Sequence, residues 1–136
     1  LIVDDEPSVR TLCRFNLVAA GMDVREAGDG REALALIAEE VPDLVLLDVM
    51  MPVIDGWQVA RALQRDPRTR ELPIVFLTAR VERADRQRAA DLGAVGYVSK
   101  PFDPIELAST VEGLLERLAS GERVALRRAV REGSDG

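Results

Sequence analysis

The stretch Leu44-Val45-Leu46-Leu47-Asp48 decides the reading of this chain, because four apolar residues run without alternation into a bare carboxylate. Such a run reads as a strand buried on both faces, the pattern of parallel sheets covered by helices. The loop Val49-Met50-Met51-Pro52-Val53-Ile54-Asp55-Gly56 comes next, with a proline and an Asp-Gly turn signal, so Asp48 falls at the carboxyl end of the strand. In open parallel sheets that edge is where ligands and chemistry are found. Asp55 and Gly56 already supply the turn chemistry, so Asp48 is not needed as a cap.

Toward the carboxyl terminus, Trp57 to Arg65 reads as a helix with Val59, Ala60 and Leu63 inward, ended by Asp66-Pro67. Pro73 leads into Ile74-Val75-Phe76-Leu77-Thr78, a second continuous apolar run ending in a polar side chain. Glu82 to Leu92 is an Arg-rich helix with Ala84, Ala89, Ala90 and Leu92 as its apolar content, closed by Gly93. Ala94 to Lys100 is the fifth strand. Asp103-Pro104-Ile105-Glu106 opens the last helix with a cap, a proline in the first turn and an acid three residues on. Ile105, Ala108, Val111, Leu115 and Leu118 keep the helical period to about Ala119.

Toward the amino terminus, Pro42-Asp43 breaks the chain, and Arg31 to Glu40 reads as a helix packing Leu34, Ile37 and Ala38. Met22 to Ala27 alternates as a more exposed strand would. Val9 to Ala20 is a helix with Leu12, Phe15 or Asn16, and Ala19 at helical spacing, stopped by Gly21. Leu1-Ile2-Val3-Asp4-Asp5 is a short strand, clipped at its start, that ends in two acids. Strand and helix thus alternate five times, which implies an α/β, doubly wound, five-stranded parallel sheet with five helices. Residues 1–119 form that domain, and residues 120–136 read as a tail or severed linker with room for a helical turn or two.

Composition narrows the function classes. A chain of 136 residues with 47% apolar and 31% charged residues has the profile of one globular domain. No apolar run approaches the roughly 18 residues of a membrane span, and no basic segment precedes the first strand, so a cytoplasmic protein without signal peptide or membrane contact is expected. Cys13 stands alone, in keeping with a reducing compartment. The formal charge of −6 argues against a nucleic-acid surface on this segment. The chain has no His, so it can receive a phosphoryl group but cannot carry one on imidazole. Lys100 is the only Lys among eighteen basic residues, which marks a place where Arg fails.

Four strands therefore end at chemistry: Asp4 and Asp5, Asp48, Thr78, and Lys100. Right-handed crossovers bring those ends to one edge. Three carboxylates about 4 Å apart repel by roughly 4 kcal/mol per pair at an effective dielectric near 20, so a cation must sit among them. Mg²⁺, a hard ion bound through one or two carboxylates plus phosphate and water, fits best.

The ordered set Asp4-Asp5, Asp48 with Met50, Pro52 and Asp55-Gly56, Thr78-Ala79, Tyr97, and Lys100-Pro101-Phe102 resembles the receiver domain of two-component response regulators. The resemblance covers residues 1 to about 119. It implies a flavodoxin-like strand order 2-1-3-4-5. It implies that Asp48 accepts a phosphoryl group from a sensor histidine kinase or phosphotransfer protein in a Mg²⁺-dependent reaction. Asp5, Asp48 and the Met50 carbonyl would ligate the ion, Asp4 would act through water, and Lys100 would pair with the phosphoryl oxygens. Thr78 and Tyr97 would form the switch: the hydroxyl turns to the phosphate, the ring moves inward, and the surface of helix four, strand five and helix five signals to a downstream effector or output domain.

The same resemblance makes the chain no turnover enzyme beyond its own phosphotransfer and slow dephosphorylation. Met50 and Arg80 flank the path of the hydrolytic water; neither is a water-positioning amide or acid, so a phosphate not especially quick to hydrolyse is expected. It also suggests a cis Lys100-Pro101 bond. Trp57 reads as helix packing or surface and as a fluorescence reporter, while Arg83, Arg86 and Arg88 read as a solvated face open to an acidic partner. Leu107 to Glu112 lacks the basic residues that resembling winged-helix regulators use to dimerise, so a monomer or weak homodimer is expected.

Three other readings compete. A haloacid-dehalogenase-type phosphatase needs two acids separated by one residue after the first strand, whereas Asp4 and Asp5 are adjacent. A P-loop hydrolase lacks its motif here, and Gly28-Asp29-Gly30 lacks the rest of a dinucleotide fingerprint. A receiver serving only as a constitutive docking module would not need every acid and Lys100 in place.

Overall fold

In the computed structural model, residues 1–79 and 82–133 are described. The chain runs β1 (Ile2–Val3), α1 (Pro7–Ala19), β2 (Glu26–Ala27), α2 (Gly30–Glu39), β3 (Val45–Asp48), α3 (Gly56–Arg65), β4 (Ile74–Thr78), α4 (Arg83–Asp91), β5 (Ala94–Ser99), α5 (Pro104–Ala119) and α6 (Arg123–Glu132). The strands form one parallel sheet in the order β2-β1-β3-β4-β5. The expected fold class and strand order are therefore present.

Period-two alternation sorts the strand side chains between two apolar clusters. Val3, Val45, Leu47, Ile74 and Phe76 face α2, α3 and α4, with Ile37, Trp57, Leu63 and Ala89 packed on them. Ile2, Leu46, Val75 and Leu77 face α1 and α5, with Cys13, Leu17, Val111 and Leu114 packed on them. The central strands β3 and β4 are buried along their whole length, as their unbroken apolar runs require. Among the described residues, no helix is long and apolar enough to cross a membrane.

Several inward faces differ from those expected. In α1 the buried residues are Cys13 and Leu17, while Leu12 and Phe15 are 55% and 75% exposed. Val9-Cys13-Leu17 and Leu12-Phe15-Val18 both recur at helical spacing, and the way α1 crosses the sheet selects the first. In α2 the buried residues are Gly30, Ala33 and Ile37, with Ala38 exposed. In α5, Leu107 and Leu114 join Ala108 and Val111 inside, and Ile105 is exposed. The ladder of β2 spans only Glu26–Ala27, paired with Ile2 and Val3 of β1.

The helix count also changes. The segment after Gly121, expected to hold at most a turn or two, forms the ten-residue α6, so the described residues hold six helices. Leu126 and Val130 recur at i, i+4 and are buried, and Gly133 takes the left-handed conformation that ends the helix.

The β3–α3 loop contains a strained point. Val53 has φ +68°, a left-handed conformation that its branched side chain disfavours. Its side chain is 86% exposed, so no packing compensates. Val53→Gly is expected to raise unfolding stability by about 1 kcal/mol, measured by urea denaturation; a loss of stability would contradict the strain.

Candidate functional site

Parallel register brings four strand tips level. Val3 pairs with Leu47, Asp48 with Leu77, and Thr78 with Ser99, so the residues at or just past the ends of these strands gather along one rim. The Lys100 amide donates to the Thr78 carbonyl at 2.8 Å and carries that register one residue past β5. The Lys100-Pro101 peptide is cis, as the resemblance suggests.

At the rim the Lys100 ammonium donates to Asp4 Oδ2 at 2.8 Å and lies 3.3 Å from Asp48 Oδ1. Asp4 and Asp48 are buried, whereas Asp5 is exposed. The Glu6 amide donates to Asp4 Oδ1 at 3.0 Å, and the Met50 amide donates to Asp48 Oδ1 at 3.2 Å. Oxygens of Asp4, Asp5 and Asp48 lie within 4.8 Å of one another. Three carboxylates less one ammonium leave two negative charges, and the donors are hard oxygens, so the cluster fits a hard divalent cation.

Sequence comparison gives the cluster its context. The family model of the response regulator receiver domain matches residues 1–112. This chain is a response regulator receiver domain. It is 43% identical over 117 residues to the DNA-binding dual master transcriptional regulator RpaA of Synechocystis sp., covering 86% of this chain and 48% of that protein. It is 44% identical over 117 residues to the alkaline phosphatase synthesis transcriptional regulatory protein PhoP of Bacillus subtilis, with 86% and 48% covered. The chain thus spans about half the length of these curated relatives. Chemotaxis protein CheY4 of Vibrio cholerae superposes with a TM-score of 0.78 at 34% identity, covering 83% of this chain and 94% of that one. Membership in this family makes the chain a signalling domain and not a metabolic enzyme, which sets the phosphatase and P-loop readings aside.

Within this receiver the residues singled out from sequence take different places. Asp4, Asp5, Asp48 and Lys100 converge, and Thr78 is buried beside them at the tip of β4. Tyr97 lies half-buried on β5, opposite Phe76 and three residues before Lys100. Met50 reaches Asp48 through its amide, with its side chain exposed. Arg80 lies outside the described residues. Trp57 is core, its ring 4.7 Å from Phe76 and covered by the Arg88 guanidinium at 4.7 Å.

Two residues have supporting roles that the sequence pattern does not show. Gly56 looked like turn chemistry, yet a Cβ there would collide with the Asp48 carbonyl, so the receiver needs glycine to bring α3 against the acid. Arg10 donates to the Asp4 carbonyl at 2.7 Å and pairs with Glu26 at 3.4 Å, anchoring the β1 tip. The Asp-Gly pair signals a turn in the sequence, but its close approach to Asp48 belongs to the tertiary structure; an Arg one turn into a helix carries no signal.

The site is electrostatically loaded. Burial first, and then the Asp4 charge, push the Asp48 carboxyl up to about 6, although Lys100 and the Met50 amide oppose the rise. Burial would lower the Lys100 ammonium, but its bond to Asp4 and the charges of Asp48 and Asp4 outweigh that and raise it. Below the ordinary value of 3.8 Asp48 is protonated folded or unfolded, so its ionisation costs nothing. As pH rises through 6 the folded receiver must hold a charge that the unfolded chain holds more easily, and stability falls. Asp48→Asn is therefore expected to stabilise the metal-free protein by an amount on the order of 2 kcal/mol at about pH 8 and by little at about pH 4. Thermal denaturation at the two pH values checks this, and an equal effect at both would contradict it.

Proposed function

We propose that this receiver accepts a phosphoryl group on Asp48 from a phosphohistidine on a sensor histidine kinase or phosphotransfer protein, and passes the altered state to a partner or output domain. The observation that carries the reading is the convergence of Asp48 with Lys100, Asp4 and Asp5 at one rim. An Asp48 carboxylate oxygen forms the new P–O bond while the P–N bond to the donor imidazole breaks, the nitrogen keeping the electron pair. The transferred group carries its charge on the equatorial oxygens, so catalysis is positioning and neutralisation.

Each residue has a role in this scheme. Lys100 leaves its bond to Asp4 and pairs with a phosphoryl oxygen as a flexible point charge. Asp5 and Asp48, with the Met50 carbonyl, hold Mg²⁺, and Asp4 acts through water. When bound, the ion offsets the acid cluster and screens the incoming phosphate. Thr78 donates its hydroxyl to the phosphoryl group, and Tyr97 on β5 reports the change to the surface of α4, β5 and α5. The exposed apolar residues Leu12 and Phe15 on α1, which begins two residues after Asp5, supply the contact area beside the pocket that a protein donor needs. The phosphoryl chemistry runs in the cytoplasm, and the acidic chain itself does not bind nucleic acid.

Incubation with Mg²⁺ and acetyl phosphate is expected to give one phosphoryl adduct per chain, mapped to Asp48 by mass spectrometry and absent in Asp48→Asn. An adduct elsewhere, or one that survives Asp48→Asn, overturns the reading. The metal is tested separately. Trp57 is the only Trp and follows Gly56, which abuts Asp48, so a Mg²⁺ titration is expected to change its fluorescence. Asp5→Asn should weaken that titration on the order of tenfold or more; an unchanged midpoint would remove Asp5 from the metal site.

A further inference from the structure

Helix α6 lies beyond residues 1–112, the stretch that matches the receiver family, yet it packs on the receiver body. Its two buried side chains go to different places. Leu126 enters the cluster that contains Val95 and Leu114, and Val130 enters the one that contains Ala89, Ala90 and Ala94. α6 therefore lies along the edge strand β5 and joins both faces of the sheet there. Two polar ties hold it to the end of α4: Arg127 donates to the Ala90 carbonyl at 3.1 Å, and Arg131 pairs with Asp91 at 2.7 Å. Gly121, at φ +81°, makes the turn that returns the chain from α5.

The seat is connected to the rim. Two buried side chains and three polar ties, the third between Arg123 and Glu71 at 3.9 Å, hold α6 on the body, and a single helix held by so few groups opens locally more easily than the sheet core. Its support, β5, carries Lys100 one residue past its end, and the Lys100 amide holds the tip of β4 through the Thr78 carbonyl. Tyr97 lies between, lining a groove with Arg86 of α4, Val130 of α6 and Gly133. A phosphoryl group that draws Lys100 away from Asp4 acts on the strand that α6 rests against.

We propose that α6 is an intramolecular cover over β5 and α4, seated while Asp48 is unphosphorylated and released on phosphorylation, so that any partner using this face must displace it. The inference rests on the phosphoacceptor role of Asp48. Linkage makes the effect reciprocal: whatever unseats α6 favours the phosphorylated state by the same factor.

Hydrogen exchange on the full chain tests this, with Mg²⁺ alone and with Mg²⁺ plus acetyl phosphate, adduct being counted by intact mass in the same samples. The α6 amides are expected to exchange on the order of tenfold faster in the phosphorylated protein, with α2 unchanged. An adduct on Asp48 without faster α6 exchange overturns the inference and leaves the phosphoacceptor reading standing, whereas no adduct overturns both. For the reciprocal arm, Leu126→Ala is expected to free α6 without any donor and to bind beryllofluoride with Mg²⁺ on the order of tenfold more tightly; unchanged affinity overturns the coupling. The surface change Arg131→Glu should act in the same direction but less, and adding Asp91→Arg should restore the original protection. Failure of that rescue removes the proposed tie to α4.

Discussion

One ammonium between two buried carboxylates governs this receiver. Lys100 bonds Asp4 and faces Asp48, and because a single charge cannot balance both acids, the pocket keeps a deficit that burial makes expensive. That deficit is visible in the raised Asp48 carboxyl. It also makes the rim receptive to a divalent cation, since its hard oxygen donors carry excess negative charge. A compact ammonium on a flexible stem suits this position better than a planar guanidinium, whose fixed fork would demand a bidentate partner. In a chain otherwise served by Arg, the lone Lys falls where that distinction matters.

The fold brings these groups together through register and close approach. Parallel pairing levels the tips of β1, β3, β4 and β5, and the loops behind them are held by specific contacts. Arg10 anchors the Asp4 backbone, and Gly56 lets α3 start against the Asp48 carbonyl, so both acids gain a fixed backbone. The α3 start is stiffened further by a capping box between Asp55 and Gln58. The strained Val53 lies in the same loop, a local cost in the segment joining the acid to its helix.

The two sheet edges are treated differently. β2 is a two-residue ladder, short enough to offer little to an incoming strand, whereas the six-residue β5 is covered by α6. About half of each curated relative lies outside the stretch it shares with this receiver. In this chain the element after α5 folds back on the body, and its ties reach α4 through Arg127 and Arg131.

Element order, the parallel sheet and the strand-end residues were readable from the sequence, because unbroken apolar runs ending in Asp48 and Thr78 allow few alternatives to a doubly wound sheet. Tertiary structure decided what local pattern left degenerate. Both faces of α1 carry apolar residues at helical spacing, and only its crossing of the sheet selects Cys13 and Leu17 over Leu12 and Phe15. α6 buries just Leu126 and Val130 in a segment of four arginines, too weak a period to reveal a helix until β5 and α4 supply the surface it covers. The elevated Asp48 carboxyl likewise arises from burial beside Asp4, a proximity of groups distant in sequence that no linear pattern encodes.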